Sequence, residues 1–143
     1  MKPLTLIPAI HRAAHAIATL IDANGKLAVT QAEAQVLAHL AAHGASTVGQ
    51  IHSEFGHKRS TLTSILNRLE ARGLITCSVN ESDRRSFLIG LTPAGQMLAR
   101  DVLKKLSQLE EKILESFPPQ DRERAFGILA AVTTATRGEL RPT

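Results

Sequence analysis

Two short apolar stripes separated by one glycine-bearing turn constrain this chain more than any other feature. Ser46 or Thr47 can cap a first helix that carries Val48, Ile51 and Phe55 and closes at Gly56. A second stripe follows almost at once, with Leu62, Ile65, Leu66 and Leu69 inward, and ends at Gly73. Steps of three and four mark one face of a helix. Two helices joined so tightly have the spacing of a helix-turn-helix.

The hydrophobic period then changes. Leu74 to Val79 and Ser86 to Leu91 are β-rich runs, and Asn80-Glu81-Ser82-Asp83-Arg84-Arg85 between them is polar and turn-forming. This predicts a β-hairpin directly after the second helix, in the position of a wing. Thr92-Pro93 reads as a hydroxyl N-cap followed by proline at the first helical position. The helix it opens runs to about Phe117, with Leu98, Val102, Leu106, Leu109, Ile113 and Phe117 on one stripe. Pro118-Pro119 should break it, a last helix should run from Asp121 to about Thr136, and Arg137 to Thr143 should fray.

Upstream, Leu4, Ile7, Ile10, Ala14, Ile17, Leu20 and Ile21 form one more helical stripe, ended by Asp22-Ala23-Asn24-Gly25 with Gly25 as a left-handed cap. Thr30 and Glu33 fit a capping box, opening a helix that buries Val36, Leu37 and Leu40 and stops at Gly44. The expected class is mainly α with a small β-wing. A winged helix-turn-helix over residues 30–91 is flanked by helices at 1–29 and 92–143, all in one domain spanning 1–143.

Composition excludes several alternatives. Hydrophobic residues make up 43% and charged residues 21%, a globular balance. No window approaches the uninterrupted apolar length of a membrane span, so no membrane partner is expected. His11, Arg12 and His15 interrupt the only candidate secretory core, and one cysteine allows no disulfide framework, which together point to the cytoplasm. The four phenylalanines are scattered and there is no Trp or Tyr, so no aromatic platform exists for stacking single-stranded bases. There is no glycine-rich phosphate loop, nucleophile elbow or HExxH, which argues against an enzyme, and no cofactor or metal is expected. The 17 cations exceed the 13 acids, a mild bias toward a polyanionic partner.

The second helix of the pair makes chemical sense against double-stranded DNA. Its outward residues include Lys58, Arg59, Ser60 and Thr61, then Thr63, Ser64, Asn67 and Arg68. Short hydroxyls let the backbone approach the major groove, Arg and Asn can bridge base edges, and Lys and Arg neutralise phosphates. Alone, such a face would be an ordinary solvated one; the turn spacing and the wing turn the reading to DNA. The terminal helices hold more apolar surface than one winged domain can cover. Pairing with a second copy buries it and sets two reading helices one DNA turn apart, roughly 34 Å.

The run Thr61 to Ile75 (TLTSILNRLEARGLI), then Asn80 to Arg85, then Leu91-Thr92-Pro93-Ala94-Gly95, resembles the MarR family of bacterial transcriptional regulators. The resemblance covers nearly the whole chain. It implies a homodimer in which 1–29 and 92–143 are dimerisation helices, a pseudo-palindromic operator, a repressor more often than an activator, and a small-molecule effector. Arg85 matches the arginine of the family's Asp-x-Arg wing and Asp83 its acid, with Arg84 between them. An arginine at a hairpin tip can enter a narrow minor groove, and Asp83 would orient it; as a plain surface pair the two would contribute little. The chain departs from the pattern at Cys77-Ser78, where the wing strand is often basic, and at Lys58-Arg59, where Ser-Pro is common.

His11 with His15 and His39 with His43 stand at i, i+4 on helices that border the effector cleft in such a fold. They are candidate effector contacts, although exposed or capping histidines are common and neither pair has a local third metal ligand. Cys77, at the strand parity of Ile75 and Val79, reads as a small core residue. Two other readings stay open: a metal- or redox-responsive regulator of the same fold, and a winged-helix protein-interaction module without DNA binding.

Overall fold

The structure, a computed structural model, describes residues 1–22 and 27–139. The elements run α1 (Leu6–Asp22), α2 (Gln31–His43), β1 (Ser46–Thr47), α3 (Val48–Phe55), α4 (Arg59–Ala71), β2 (Ile75–Val79), β3 (Phe87–Leu91), α5 (Pro93–Glu115) and α6 (Pro119–Glu139). The chain divides into two compact units, residues 1–105 and 106–143. The expected cap at Gly25 lies outside the described residues.

In the first unit the core is built where the helical stripes meet. Val36 and Leu37 of α2, Ile51 of α3, Leu62, Ile65 and Leu69 of α4, Ile89 of β3 and Val102 of α5 are all fully buried. Each such side chain contributes about 1.5–3 kcal/mol relative to an exposed one. α2 packs on α1, on α4 and on β3, so it forms the centre of this unit.

Local signals hold the elements in place. Gly56 closes α3 at φ 66°, and its N–H donates to the His52 carbonyl; only glycine takes that conformation without cost. Thr47 caps α3 in a full capping box, its hydroxyl accepting from Gln50 N–H at 3.1 Å while the Gln50 side chain accepts from Thr47 N–H at 2.9 Å. The box expected at Thr30 is only half made. Thr30 Oγ1 accepts from Glu33 N–H at 3.2 Å, but the Glu33 carboxylate accepts from the Thr30 hydroxyl instead of reaching back to its amide. That carboxylate is drawn away by Arg68 of α4 and Arg72 at the C-cap of α4, which offer a buried acid more than a backbone amide does.

The wing is not a bare hairpin. Its sheet has the order β1-β3-β2, all antiparallel, with Ile75 opposite Leu91 and Val79 opposite Phe87 on one side of β3, and Ser46 opposite Ile89 on the other. β1 is two residues long, too short to leave any period in the sequence.

Thr92 caps α5 as expected, accepting from Gly95 N–H at 3.0 Å. Its own N–H donates to the Leu74 carbonyl at 3.1 Å. A Cβ on Gly95 would fall inside the radius of that same Leu74 oxygen. The glycine is therefore required by the close approach of α5 to the chain entering β2.

In the second unit α6 starts at Pro119, two residues earlier than expected, because proline suits the first helical position. It continues to Glu139, so residues 137–139 are helical where fraying was expected. None of its residues is buried; Phe126, Ile128 and Leu129 are 56%, 49% and 54% exposed. Among the described residues no helix is long and apolar enough to cross a membrane.

Candidate nucleic-acid interface

Helix α4 has three faces. Leu62, Ile65, Leu66 and Leu69 turn into the core. At about 100° per residue, Ser60, Ser64 and Asn67 lie opposite them, and all three are exposed. Thr63 and Asn67 border the wing side, while Arg68 and Arg72 lie toward α2.

The hydroxyls on α4 have a defined polarity. Thr63 Oγ1 donates to the Arg59 carbonyl at 2.8 Å and Ser64 Oγ to the Ser60 carbonyl at 3.0 Å. With their protons engaged, both offer lone pairs outward. They match the amino groups of adenine or cytosine in a major groove rather than purine N7. Asn67 is exposed and retains both donors and an acceptor.

The wing loop is held by its own side chains. Asn80 N–H donates to the Ser86 carbonyl at 3.0 Å and Asp83 N–H to the Asn80 carbonyl at 3.2 Å. Asn80 Oδ1 accepts from Ser82 N–H, and Asp83 Oδ1 accepts from Arg85 N–H, both at 3.1 Å. The Asp83 carboxylate also stands 3.6 Å from Arg85 Nε, and the Arg85 side chain is 96% exposed. A pair so open to water adds little stability. The role of Asp83 here is to shape the turn from which Arg84 and Arg85 project.

Between α4 and the hairpin runs a groove of about 550 Å³. Arg59, Thr63 and Asn67 line it from α4, Cys77, Arg85 and Phe87 from the wing, and His52 from α3. Arg59 and Arg85 face this groove from opposite walls, while Leu62, Leu66, Ile75 and Ile89 make its floor apolar and Glu70 adds one acid. His52 and Phe87 were not singled out by sequence; His52 sits beside the buried Ile51 with no pattern to mark its outward turn.

Cys77 corrects the sequence reading, since it is exposed. Parity placed it on the side of Ile75, but of β2 only Ile75 is buried; beyond it the strand leaves the core and that side opens into the groove. Partial burial, and then the negative charge of Glu70, push its thiol above the ordinary value.

Arg68 is exposed, as expected, and is also paired with an acid of α2. Its Nε stands 3.7 Å from Glu33 Oε1, and Arg72 Nη1 donates to Glu33 Oε2 at 3.3 Å. Lys58, Arg59 and Thr61 are exposed as expected, with Lys58 at the N-cap of α4 and Arg59 its first residue.

The histidines fall in two settings. His11 and His15 are exposed on α1. The rings of His39 and His43 stack at 4.5 Å, His43 Nδ1 lies 3.1 Å from the His39 carbonyl, and both line an open groove with Ser46, Gln50 and Glu54. Among the described residues no three His, Cys, Asp or Glu side chains form a metal-binding group. A separate cleft of about 510 Å³ is lined by Leu40, Leu91 and Leu103 with Gln96 and Arg100.

Residues 27–86 match the model of the MarR family. The chain is 30% identical to the HTH-type transcriptional regulator PecS of Dickeya dadantii, over 92% of its own length and 82% of the relative's. It is 29% identical to the HTH-type transcriptional repressor MdtR of Bacillus subtilis, over 81% and 75% of the two chains. Among solved structures, S. aureus MepR in its DNA-binding conformation superposes with a TM-score of 0.85 at 20% identity, covering 93% of this chain and 99% of that one; this likeness is one of fold.

Proposed function

The chain belongs to the MarR family of transcriptional regulators, winged-helix proteins and not enzymes, and on that premise we propose that it is a homodimeric, ligand-responsive repressor of double-stranded DNA. The observation that carries the DNA reading is one continuous exposed surface. It runs from Ser60, Ser64 and Asn67 on α4, across the groove with Arg59, to Arg85 on a turn shaped by its own hydrogen bonds. In this reading α4 enters the major groove, Arg84 and Arg85 reach the adjacent minor groove, and Lys58, Arg59 and Thr61 contact phosphates. The wing argues against a protein-interaction module, which has no need of two exposed arginines at its tip.

Dimerisation rests on the exposed apolar residues of α1 and α6, Leu6, Ile7, Phe126, Ile128 and Leu129 among them, with residues 1–29 and 92–143 supplying the contacts. Effector control rests on concave surfaces away from the DNA face. The cleft with Arg100 and Gln96 pairs apolar walls with few polar groups, the chemistry of a small organic acid site. The groove of His39 and His43 offers a second. Repression is supported by the likeness to MdtR, a transcriptional repressor.

The test has three readouts. Selection from a randomised duplex pool should enrich a two-fold-related sequence. Sedimentation should give a dimer at micromolar concentration. Thermal-shift screening of aromatic acids should raise the unfolding temperature of wild type but not of Arg100→Ala. A pool that enriches nothing, or a stable folded monomer, would overturn the reading.

A further inference from the structure

The least expected ionic arrangement in the chain is the one around Glu33. Its side chain is only 6% exposed, yet it is an acid on the central helix of the first unit. Its neighbours are three donors: the Thr30 hydroxyl at 3.0 Å, Arg72 Nη1 at 3.3 Å and Arg68 Nε at 3.7 Å. Arg68 near the end of α4 and Arg72 at its C-cap stand at i, i+4, so both reach the same flank, away from the wing groove. Their side chains are 54% and 40% exposed, placing them between the buried acid and solvent.

We infer that Glu33 is a positioning residue for DNA reading: it holds Arg68 and Arg72 on the α2 flank of α4 and so withholds cationic charge from the DNA backbone, leaving the reading face to neutral side chains. The physical reason is the asymmetry of a buried ion pair. Removing both guanidinia from a buried carboxylate leaves that charge unpaired and desolvated, and removing either one weakens its compensation, which costs more than an exposed phosphate contact returns. The two arginines are therefore held at Glu33 in preference to a phosphate. The face left to meet bases is Ser60, Ser64 and Asn67, which read edges and do not bind phosphates indiscriminately. Glu33 in this way lowers affinity for any duplex and raises the share of binding that depends on sequence. The inference rests on α4 being the DNA-reading helix.

The experiment measures affinity of the full-length protein for two duplexes, one enriched from a randomised pool and one with the same bases scrambled, at several salt concentrations. Glu33→Gln keeps the shape and the hydrogen bond to Thr30 but releases the cations. On the scrambled duplex its salt dependence should steepen by about one unit for each released arginine that reaches a phosphate, each unit an additional loss of roughly three- to fourfold between about 50 and 200 mM salt. Its ratio of enriched to scrambled affinity should fall. Arg68→Gln alone should leave the wild-type slope unchanged, and Arg68→Gln together with Arg72→Gln, added to Glu33→Gln, should remove the extra steepness. Loss of stability by itself would move neither slope nor ratio of the folded fraction, so the readout separates positioning from packing. Should Glu33→Gln not fold, Arg68→Gln decides alone: a slope reduced by about a unit would mean Arg68 already holds a phosphate and would overturn the inference. A wild-type slope and ratio in folded Glu33→Gln would overturn it as well. Failure of the wild type to retain either duplex would instead sink the DNA reading itself.

Discussion

The hydroxyl of Thr92 donates to the carbonyl of Gly73 at 2.6 Å, tying the first turn of α5 to the residue that ends α4. Three further contacts meet there: the same threonine caps α5, its amide donates to the Leu74 carbonyl, and Gly95 lies against that oxygen. The reading helix and the long helix are thereby fixed at one corner.

Gly95→Ala should accordingly destabilise the protein by about 1–3 kcal/mol, since the methyl meets backbone and cannot be relieved by a rotamer change. Thr92→Val keeps the volume but loses the cap and the Gly73 bond, and should cost about 0.5–2 kcal/mol. Urea unfolding measures both; a Gly95→Ala midpoint equal to wild type would mean that α5 can slide away from Leu74.

Arg85→Ala should weaken binding to enriched and scrambled duplexes alike and lower the salt slope by about one unit. Asp83→Ala should do the same more mildly, because it removes the acceptor of Arg85 N–H and loosens the turn while leaving the cation. Titration of labelled duplex at several salt concentrations tests this. Wild-type affinity and slope in Arg85→Ala would keep the wing out of the groove.

Asn67→Ala and Thr63→Ala should relax sequence preference with little change in salt slope. A lost base contact costs roughly 1–3 kcal/mol per half-site. The Thr63 substitution should act on pairs presenting an amino group, since its proton is held by Arg59. Unchanged preference in both variants would mean that another face of α4 meets the bases.

The exposed Cys77 thiol should alkylate slowly at neutral pH. Its raised pKa keeps it protonated there, so the rate should climb only at a pH above that for an ordinary thiol near 8.5. Glu70→Gln removes one of the two causes and should shift the rate profile to lower pH. Iodoacetamide labelling followed by mass spectrometry gives the rate, and a profile already at its plateau at neutral pH would contradict the direction of the shift.

What the sequence made legible was whatever repeats locally. The stripe Leu62, Ile65, Leu66, Leu69 marked the inward face of α4, while Gly56 marked the end of α3 and Gly73 the turn after α4. What escaped was set by distance. Parity assigns Cys77 a side of its strand, but how far the core extends beneath that strand depends on elements elsewhere in the chain. The turn from Arg68 to Glu33 joins residues on separate helices, and no spacing rule couples them. Gly95 stood out within a motif, yet the reason for a glycine there is the Leu74 oxygen, which only packing brings close.

Thr47 belongs to two elements at once: it pairs with Leu88 at the edge of the wing sheet and caps the first turn of α3. Opening of the β1–β3 edge therefore exposes the amide of Gln50, and melting of α3 frees that edge. In hydrogen exchange the two should report one opening event with a shared free energy, not two, making the β1–β3 edge and α3 a single cooperative unit. The wing tip, closed by its own local bonds, lies outside that unit and can exchange on a separate timescale.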